Sequence, residues 1–241
     1  MMAPRTLSDT LTLSNQVQIP LLGFGVYQSP QDVCRKSCLK ALELGYRHID
    51  TAQFYANEDD VGQAVAESKL PRSDIFITTK ILQSEGSVNM SYMKCLGSAK
   101  KLDQRTGYVD LFLVHSPHGG ADARRAMWQA LEKMYEEEMK GYAKVWPPHV
   151  NQIELHPWAQ QRKLVTYYLE KITKKHNVST NQALVRYSLQ KGWIPLPKSD
   201  NPERIKLNAD VYGFSLDESD MALLDSLDQG SAGAIVEAVK N

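Results

Sequence analysis

The sequence predicts an α/β protein built as a (β/α)8 TIM barrel with a short N-terminal β-hairpin, and three observations carry that expectation. Strand-like and helix-like segments alternate from residue 20 onward, the pattern of parallel strands joined by outer helices. The strand-like segments are short and mostly apolar, as parallel strands covered on both faces are. Polar residues also collect at the C-terminal ends of those segments, at Asp50, Lys80, His115, Gln152 and Lys198. A barrel gathers such ends on one mouth, where its active sites lie. The alternative is an open doubly wound sheet, but Gly23 and Gly25 lack the third glycine of a dinucleotide fingerprint and no glycine opens the following helix.

Residues 10–19 alternate about Ser14-Asn15 and read as the hairpin. An apolar run over 20–26 follows as the first barrel strand, then a helical pattern over 31–44 that stops at Gly45. Further strand-like segments fall at 47–52, 74–81, 109–116, 150–155 and 194–198. Helical periodicity covers 57–70, 89–102, 123–139, 160–175, 180–191 and 202–209, with a last amphipathic piece over 218–227. That gives six strands where a barrel needs eight. Residues 136–146 and 167–178 each pass from one helical pattern into another at a place where a strand should fall, so the fifth and seventh strands are expected to be absent from this sequence.

The 241 residues suit one large domain or two small ones, and the alternation running throughout favours a single domain over 1–241. Lys plus Arg and Asp plus Glu balance at 28 each. With no global field, neither nucleic acid nor a membrane surface is an expected partner, and any anion site must be local. No apolar stretch approaches the roughly 18 residues of a membrane span. Cys34, Cys38 and Cys95 form an odd set with no metal-ligand spacing beyond the i, i+4 pair Cys34 and Cys38 on an expected helix, which reads as buried thiols in a reducing compartment. The expectation is a cytoplasmic protein with no metal site. His48, His149, His156 and His176 read as structural, and Trp128, Trp146, Trp158 and Trp193 as packing residues; His118, in a loop after His115, is a candidate substrate contact.

The chemistry is concentrated in Asp50, Tyr55, Lys80 and His115. A phenol has an unperturbed pKa of about 10 and needs help to act as an acid near neutral pH. An ammonium beside it would favour the phenolate, and a carboxylate would hold the ammonium in place. Each residue has an ordinary reading when taken alone, as a cap, a solvated strand end or a half-buried ring. Four such residues at successive strand ends are a different matter.

Seven stretches, in order along the chain, carry a likeness to one family: Pro20-Leu-Leu-Gly-Phe-Gly-Val-Tyr27, Gly45-Tyr-Arg-His-Ile-Asp-Thr-Ala52, Tyr55-Ala-Asn-Glu58, Ile77-Thr-Thr-Lys80, Val109-Asp-Leu-Phe-Leu-Val-His-Ser-Pro117, Asn151-Gln-Ile-Glu-Leu-His-Pro157 and Ile194-Pro-Leu-Pro-Lys-Ser199, with Pro202-Glu-Arg-Ile205 after them. The chain resembles the aldo-keto reductases over nearly its whole length. The resemblance implies a barrel closed below by the hairpin, NADP(H) lying across its mouth, a small-molecule carbonyl substrate, and a monomer or weak oligomer. It implies Tyr55 as general acid, Lys80 as the cation that lowers its pKa, Asp50 as the partner of Lys80, and His115 as the group orienting the carbonyl. It places Gln152 on the nicotinamide carboxamide and Lys198, Ser199 and Arg204 on the adenosine 2′-phosphate, with Asn208 near the adenine. Gly25, Val26, Tyr27 and Asp50 would complete the cofactor site, and Tyr27, Leu82, His115 and Ser116 would line the substrate site.

Two family motifs have no counterpart here: the Ser-Asn pair ending the fifth strand, and the Tyr of the seventh with its Ser-Pro-Leu. Leu207 also replaces an acidic residue common near the adenine. The absent motifs coincide with the two strand gaps and imply internal losses of roughly one to two dozen residues each, against a barrel of about 250 residues. Either the polypeptide carries further residues at these two places, or the deletions are real; barrel closure favours the former. Real deletions would leave a non-catalytic NADP-binding or interaction protein. A barrel enzyme for phosphorylated metabolites, with Lys198 and Arg204 on a substrate phosphate, is a third reading.

Overall fold

The computed structural model describes residues 6–116, 118–138, 149–153 and 162–228, with backbone alone for 136–138 and 162–168. Strands β1 (Thr10–Thr12) and β2 (Gln18–Pro20) form an antiparallel hairpin in which Thr10 faces Pro20 and Thr12 faces Gln18. Four parallel strands follow: β3 (Phe24–Gly25), β4 (His48–Asp50), β5 (Phe76–Ile81) and β6 (Leu111–Val114), side by side in chain order. Helices α1 (Gln31–Glu43), α2 (Glu58–Glu67) and α3 (Val88–Leu102) are the crossovers between them, and α4 (Gly120–Glu138) follows β6.

Local chemistry sets these boundaries. The α3 helix starts where the Ser87 side chain accepts from Met90 N, satisfying one of the first-turn N–H groups. Arg72 fixes the entry to β6, since it donates to Asp110 Oδ2 at 2.8 Å while that same oxygen accepts from Ile77 N at 2.8 Å. The carboxylate thus stands in for a backbone carbonyl at the start of the β5–β6 ladder. All six residues of β5 are buried, as expected of a strand flanked by two neighbours with helices outside.

Two glycines are dictated by close approach. A Cβ on Gly62 would lie 1.9 Å from the Lys101 carbonyl, so α2 meets the end of α3 backbone to backbone. A Cβ on Gly25 would lie 2.8 Å from the Leu196 carbonyl. That second contact marks a further neighbour of β3. Gly23 N donates to Pro195 O at 3.1 Å and Gly25 N to Pro197 O at 3.2 Å, with one parallel bridge between Gly25 and Lys198. Residues 195–198 therefore flank β3 on the side away from β4.

The expected strand over 194–198 is in fact this single bridge, and the reason lies in its two prolines. Pro195 and Pro197 turn their carbonyls toward β3 but have no N–H to offer it, so only half of the ladder can form. Residues 150–153, the described part of the expected strand over 150–155, carry no strand, and Glu154 and Leu155 lie outside the described residues. The gap expected at 136–146 falls almost wholly outside them as well. The gap at 167–178 is crossed by α5 (Arg162–His176), which leads through a short turn to α6 (Thr180–Gln190). There Ser179 and Gln182 form a capping box. Helices α7 (Pro202–Ala209) and α8 (Glu218–Asp225) are the last elements among the described residues, capped by Asn201 and Asp217.

The main core packs β3, β4 and β5 against α1 and α2 through Phe24, Cys34, Cys38, Leu42, Ile49, Val61 and Ile77, all essentially without exposure. Each such aliphatic or aromatic side chain contributes about 1.5–3 kcal/mol of burial. A second cluster joins α5, α6 and α8, and a third joins β5 to α3 and α4. All three cysteines are buried free thiols. Among the described residues no metal-ligating cluster occurs and no helix is long and apolar enough to cross a membrane.

Candidate active site

The strand register brings the four singled-out residues together. Asp50 ends β4 opposite Thr78, and Lys80, two residues beyond Thr78 and one before the end of β5, lies opposite Leu113, so both side chains emerge at the same rim of the sheet. His115 follows β6 directly and continues the ladder through its N–H to Ile81 O at 3.0 Å. Tyr55 closes a 3-10 turn over Gln53–Tyr55, after which Ala56 adopts a left-handed φ of 55°.

Lys80 Nζ is the centre of the arrangement. It donates to Asp50 Oδ1 at 2.7 Å, to Thr51 O at 2.9 Å and to Tyr55 Oη at 3.3 Å, which accounts for all three ammonium protons. The Lys80 and Asp50 side chains are only 5% and 4% exposed. Burial draws each toward its neutral form, lowering the lysine and raising the aspartate, and their mutual attraction opposes both effects. The Gln152 amide also bears on Asp50 in favour of the carboxylate, although Asp50 Oδ2 has no partner at ordinary hydrogen-bond geometry.

The phenol differs from the sequence expectation. Burial, then the Asp50 charge and Tyr27, push Tyr55 above its ordinary value. Lys80 stands nearer to Asp50 than to Tyr55, so its charge is largely compensated before it reaches the phenol. Tyr55 is therefore a fully protonated hydroxyl at neutral pH, which is the state a proton donor must be in. His115 is half-buried, and burial followed by the Lys80 charge lowers its pKa, leaving a neutral imidazole. Its ring meets Tyr55 edge to face at 5.6 Å and Phe54 at 5.8 Å, and its Nδ1 is buried without a hydrogen-bond partner.

Around this centre, Tyr27 and Phe54 are about half exposed, with ring centroids 6.4 Å apart, and Tyr27 lies 5.0 Å from Tyr55. Leu82 is 37% exposed at the same rim and Ser116 half-buried. Val26 is buried and does not reach the surface. His118 is exposed, His176 bonds Asp220 at 2.7 Å, and Trp193 packs on Tyr187. His156, Trp146 and Trp158 lie outside the described residues.

A second group forms beside β3. Lys198 Nζ donates to Asp200 Oδ2 at 2.5 Å, and Asp200 Oδ1 accepts from Ser29 and Ser37 at 2.5 and 3.2 Å. The Ser199 hydroxyl is engaged by Asn201 N at 3.2 Å, Arg204 is exposed on the first turn of α7, and Asn208 is buried with Oδ1 unpartnered. Two cations and a helix start suit a phosphate group, and the orphaned amide oxygen suits a donor such as the amino group of a base. Asp200 is the exception, a carboxylate on one of those cations.

Three residues were not singled out in the sequence. Asp200 lies two residues beyond Lys198, between the expected strand over 194–198 and the expected helix over 202–209. Asn57 is wholly buried, donates to Val26 O and Ser29 O at 3.0 and 3.3 Å and accepts from Thr51 Oγ1 at 2.8 Å, fixing the loops after β3 and β4. Glu58, next to it, is a buried carboxyl group.

The sequence model described as the Aldo/keto reductase family matches residues 23–171 and 158–229. The 9,11-endoperoxide prostaglandin H2 reductase of Trypanosoma cruzi (strain CL Brener) is 34% identical over 266 residues, covering 92% of this chain and 92% of the relative. The glyoxal reductase of Bacillus subtilis (strain 168) is 33% identical over 269 residues, covering 94% and 95%. The crystal structure of a Bombyx mori aldo-keto reductase in complex with NADP superposes with a TM-score of 0.78 at 25% identity, over 92% of this chain and 93% of that one. The chain belongs to the aldo/keto reductase family.

Proposed function

We propose that the protein is an NADPH-dependent reductase of aldehydes, aldoses or ketones, acting through a (β/α)8 barrel that forms one domain over residues 1–241. The carrying observation is the Lys80 ammonium, bonded at once to Asp50 Oδ1 and Tyr55 Oη beside the neutral His115. The glyoxal reductase relative and the neighbour bound to NADP support the substrate class and the cofactor. The cofactor, when bound, supplies a hydride to the carbonyl carbon. The residues of this chain deal with the charge that then develops on the carbonyl oxygen. Tyr55 Oη is placed to donate its proton to that oxygen, and a neutral His115 can donate a second hydrogen bond that orients it. Once the proton has left Tyr55, Lys80 at 3.3 Å stabilises the phenolate. Lys198, Ser199 and Arg204 would hold the adenosine 2′-phosphate, with Asn208 near the adenine, Gln152 would hold the carboxamide, and Gly25, Tyr27 and Asp50 would complete the cofactor site, to which the buried Val26 contributes no surface. Tyr27, Leu82, His115 and Ser116 would face the substrate. Such an enzyme would work as a monomer or weak oligomer in the cytoplasm.

Tyr55→Phe removes the proton and little else, so turnover should fall by about 10²–10⁴-fold with NADPH binding retained. A Tyr55→Phe protein that reduces glyoxal at the wild-type rate would falsify the assignment.

A second reading has its own observation. The aligned lengths of 266 and 269 exceed the 241 residues of the chain, so its relatives carry positions that it lacks. The two family matches also overlap at 158–171, where the pattern restarts. If the missing positions include groups that hold the nicotinamide, the protein would bind NADP, or a partner, without turnover. An intact mass near 27.2 kDa together with NADPH binding but no carbonyl reduction supports this reading over the first.

A further inference from the structure

Glu58 is a buried carboxyl group that the chemistry above leaves unused. It begins α2, where the helix dipole favours negative charge, yet Asp59 and Asp60 beside it supply that charge from more exposed positions. The carboxyl of Glu58 turns inward instead and is 5% exposed. Its Oε1 accepts from Thr79 Oγ1 at 2.7 Å and its Oε2 from Ser98 Oγ at 3.1 Å. Ser98 in turn accepts from Gln53 Nε2 at 2.9 Å, and Gln53 Oε1 accepts from Leu82 N at 3.1 Å.

The endpoints of this chain of bonds are informative. Thr79 immediately precedes Lys80, and Leu82 follows two residues after it. Gln53 opens the turn that Tyr55 closes. We infer that Glu58 is a positioning residue for the Lys80–Tyr55 pair, tying the strand that carries the ammonium to the turn that carries the phenol through Thr79 on one side and Ser98 with Gln53 on the other. The inference rests on the reductase reading above.

The direction of each bond explains why a carboxylate is required. Ser98 uses its lone pair on Gln53 and its single proton on Glu58, and Thr79 likewise spends its proton there. Both neighbours are donors, so the residue between them must accept twice. Glutamine would turn an N–H₂ toward one of two hydroxyls already arranged to donate. Burial raises the Glu58 pKa, and the two hydroxyl donors oppose that shift, in keeping with a carboxyl group kept inside by its hydrogen bonds.

The test uses the full chain, NADPH and glyoxal. Glu58→Gln should lower kcat roughly tenfold or more, as a small misplacement of reacting groups does, while the KM for glyoxal and the affinity for NADPH change by less than about twofold. Gln53→Leu, which cuts the same chain at a half-buried site, should lower kcat by a similar factor. The double variant should be no slower than the slower single one, because both substitutions break one connection. A folded Glu58→Gln with kcat within twofold of wild type overturns the inference, as do single effects that multiply in the double variant. If Glu58→Gln does not fold, Gln53→Leu decides alone, and an unchanged kcat there overturns it. A wild-type protein without turnover instead removes the reductase reading on which the inference depends.

Discussion

Replacing Lys80 with methionine would test the central ion pair most directly, because the substitution keeps the length and apolar stem of the side chain while removing its charge. With both side chains about 95% buried, Asp50 would be left as an uncompensated carboxylate, and Thr51 O would lose its 2.9 Å donor. Breaking a buried pair from one side costs about 3–5 kcal/mol, whereas an exposed pair would cost about 0–1 kcal/mol. Urea unfolding at pH 7, followed by tryptophan fluorescence, separates these values. The pH dependence has a fixed sign. Burial already raises Asp50 above its unfolded value, and losing Lys80 removes the main opposing influence. A carboxyl group with a raised folded pKa binds its proton more tightly in the folded state, so stability falls as pH rises from about 4 through the folded value. The deficit of Lys80→Met should therefore be smaller at pH 5 than at pH 7. Asp50→Asn combined with Lys80→Met should recover part of the loss, since no buried charge remains. A deficit below about 1 kcal/mol at pH 7, or one that does not change with pH, would refute the buried-pair account.

Three further outcomes are expected. His48 is 2% exposed, and burial followed by the Lys80 charge lowers its pKa to about 3; the unfolded chain binds that proton more readily, so stability falls with decreasing pH between about 6.5 and 3, by roughly 1.4 kcal/mol per pH unit. His48→Gln should remove that slope in pH-resolved unfolding, and an identical slope would sink the assignment. Gly25→Ala sets a methyl group against Leu196 O at 2.8 Å and should cost about 1–3 kcal/mol, seen as a lower melting temperature; an unchanged melt would mean that residues 195–198 are not held against β3. Lys198→Met should weaken NADPH binding about tenfold or more, as loss of a charge-assisted contact does, with NADH little affected. It should do so more than Arg204→Met, because Asp200 is left facing the phosphate without its counter-ion, and equal losses for both nucleotides would place Lys198 away from the 2′-phosphate.

The parallel strands, their order of appearance and the catalytic candidates at their ends were legible because each depends on residue type at short range: apolar runs for strands, periodicity for helices, polar punctuation at the rim. Asp50, Tyr55 and Lys80 do meet at Lys80 Nζ, although Lys80 stands 30 and 25 residues from its two partners. What was not legible depends on direction and distance. The expected strand over 194–198 is apolar enough to look complete, yet its prolines face β3 without donors, and only the register reveals that both fall on the paired side. Glu58 read as part of a family motif and a helix start, and only its inward turn toward Thr79 and Ser98 shows that its carboxyl bonds the strand before Lys80 and helix α3.

The same distinction applies to the phenol. From sequence, a lysine near a tyrosine suggests an acidified hydroxyl. In the fold the lysine is closer to the aspartate, all three of its protons are engaged, and burial dominates at Tyr55. In the proposed reaction an alkoxide formed at the carbonyl substrate would be a far stronger base than a phenolate, so an acidified phenol would not be needed for the proton to move. What the transfer does need is a protonated donor beforehand and a cation close to the phenolate afterwards. The buried Tyr55 would meet the first requirement, and Lys80 at 3.3 Å, held in place by Asp50, would meet the second.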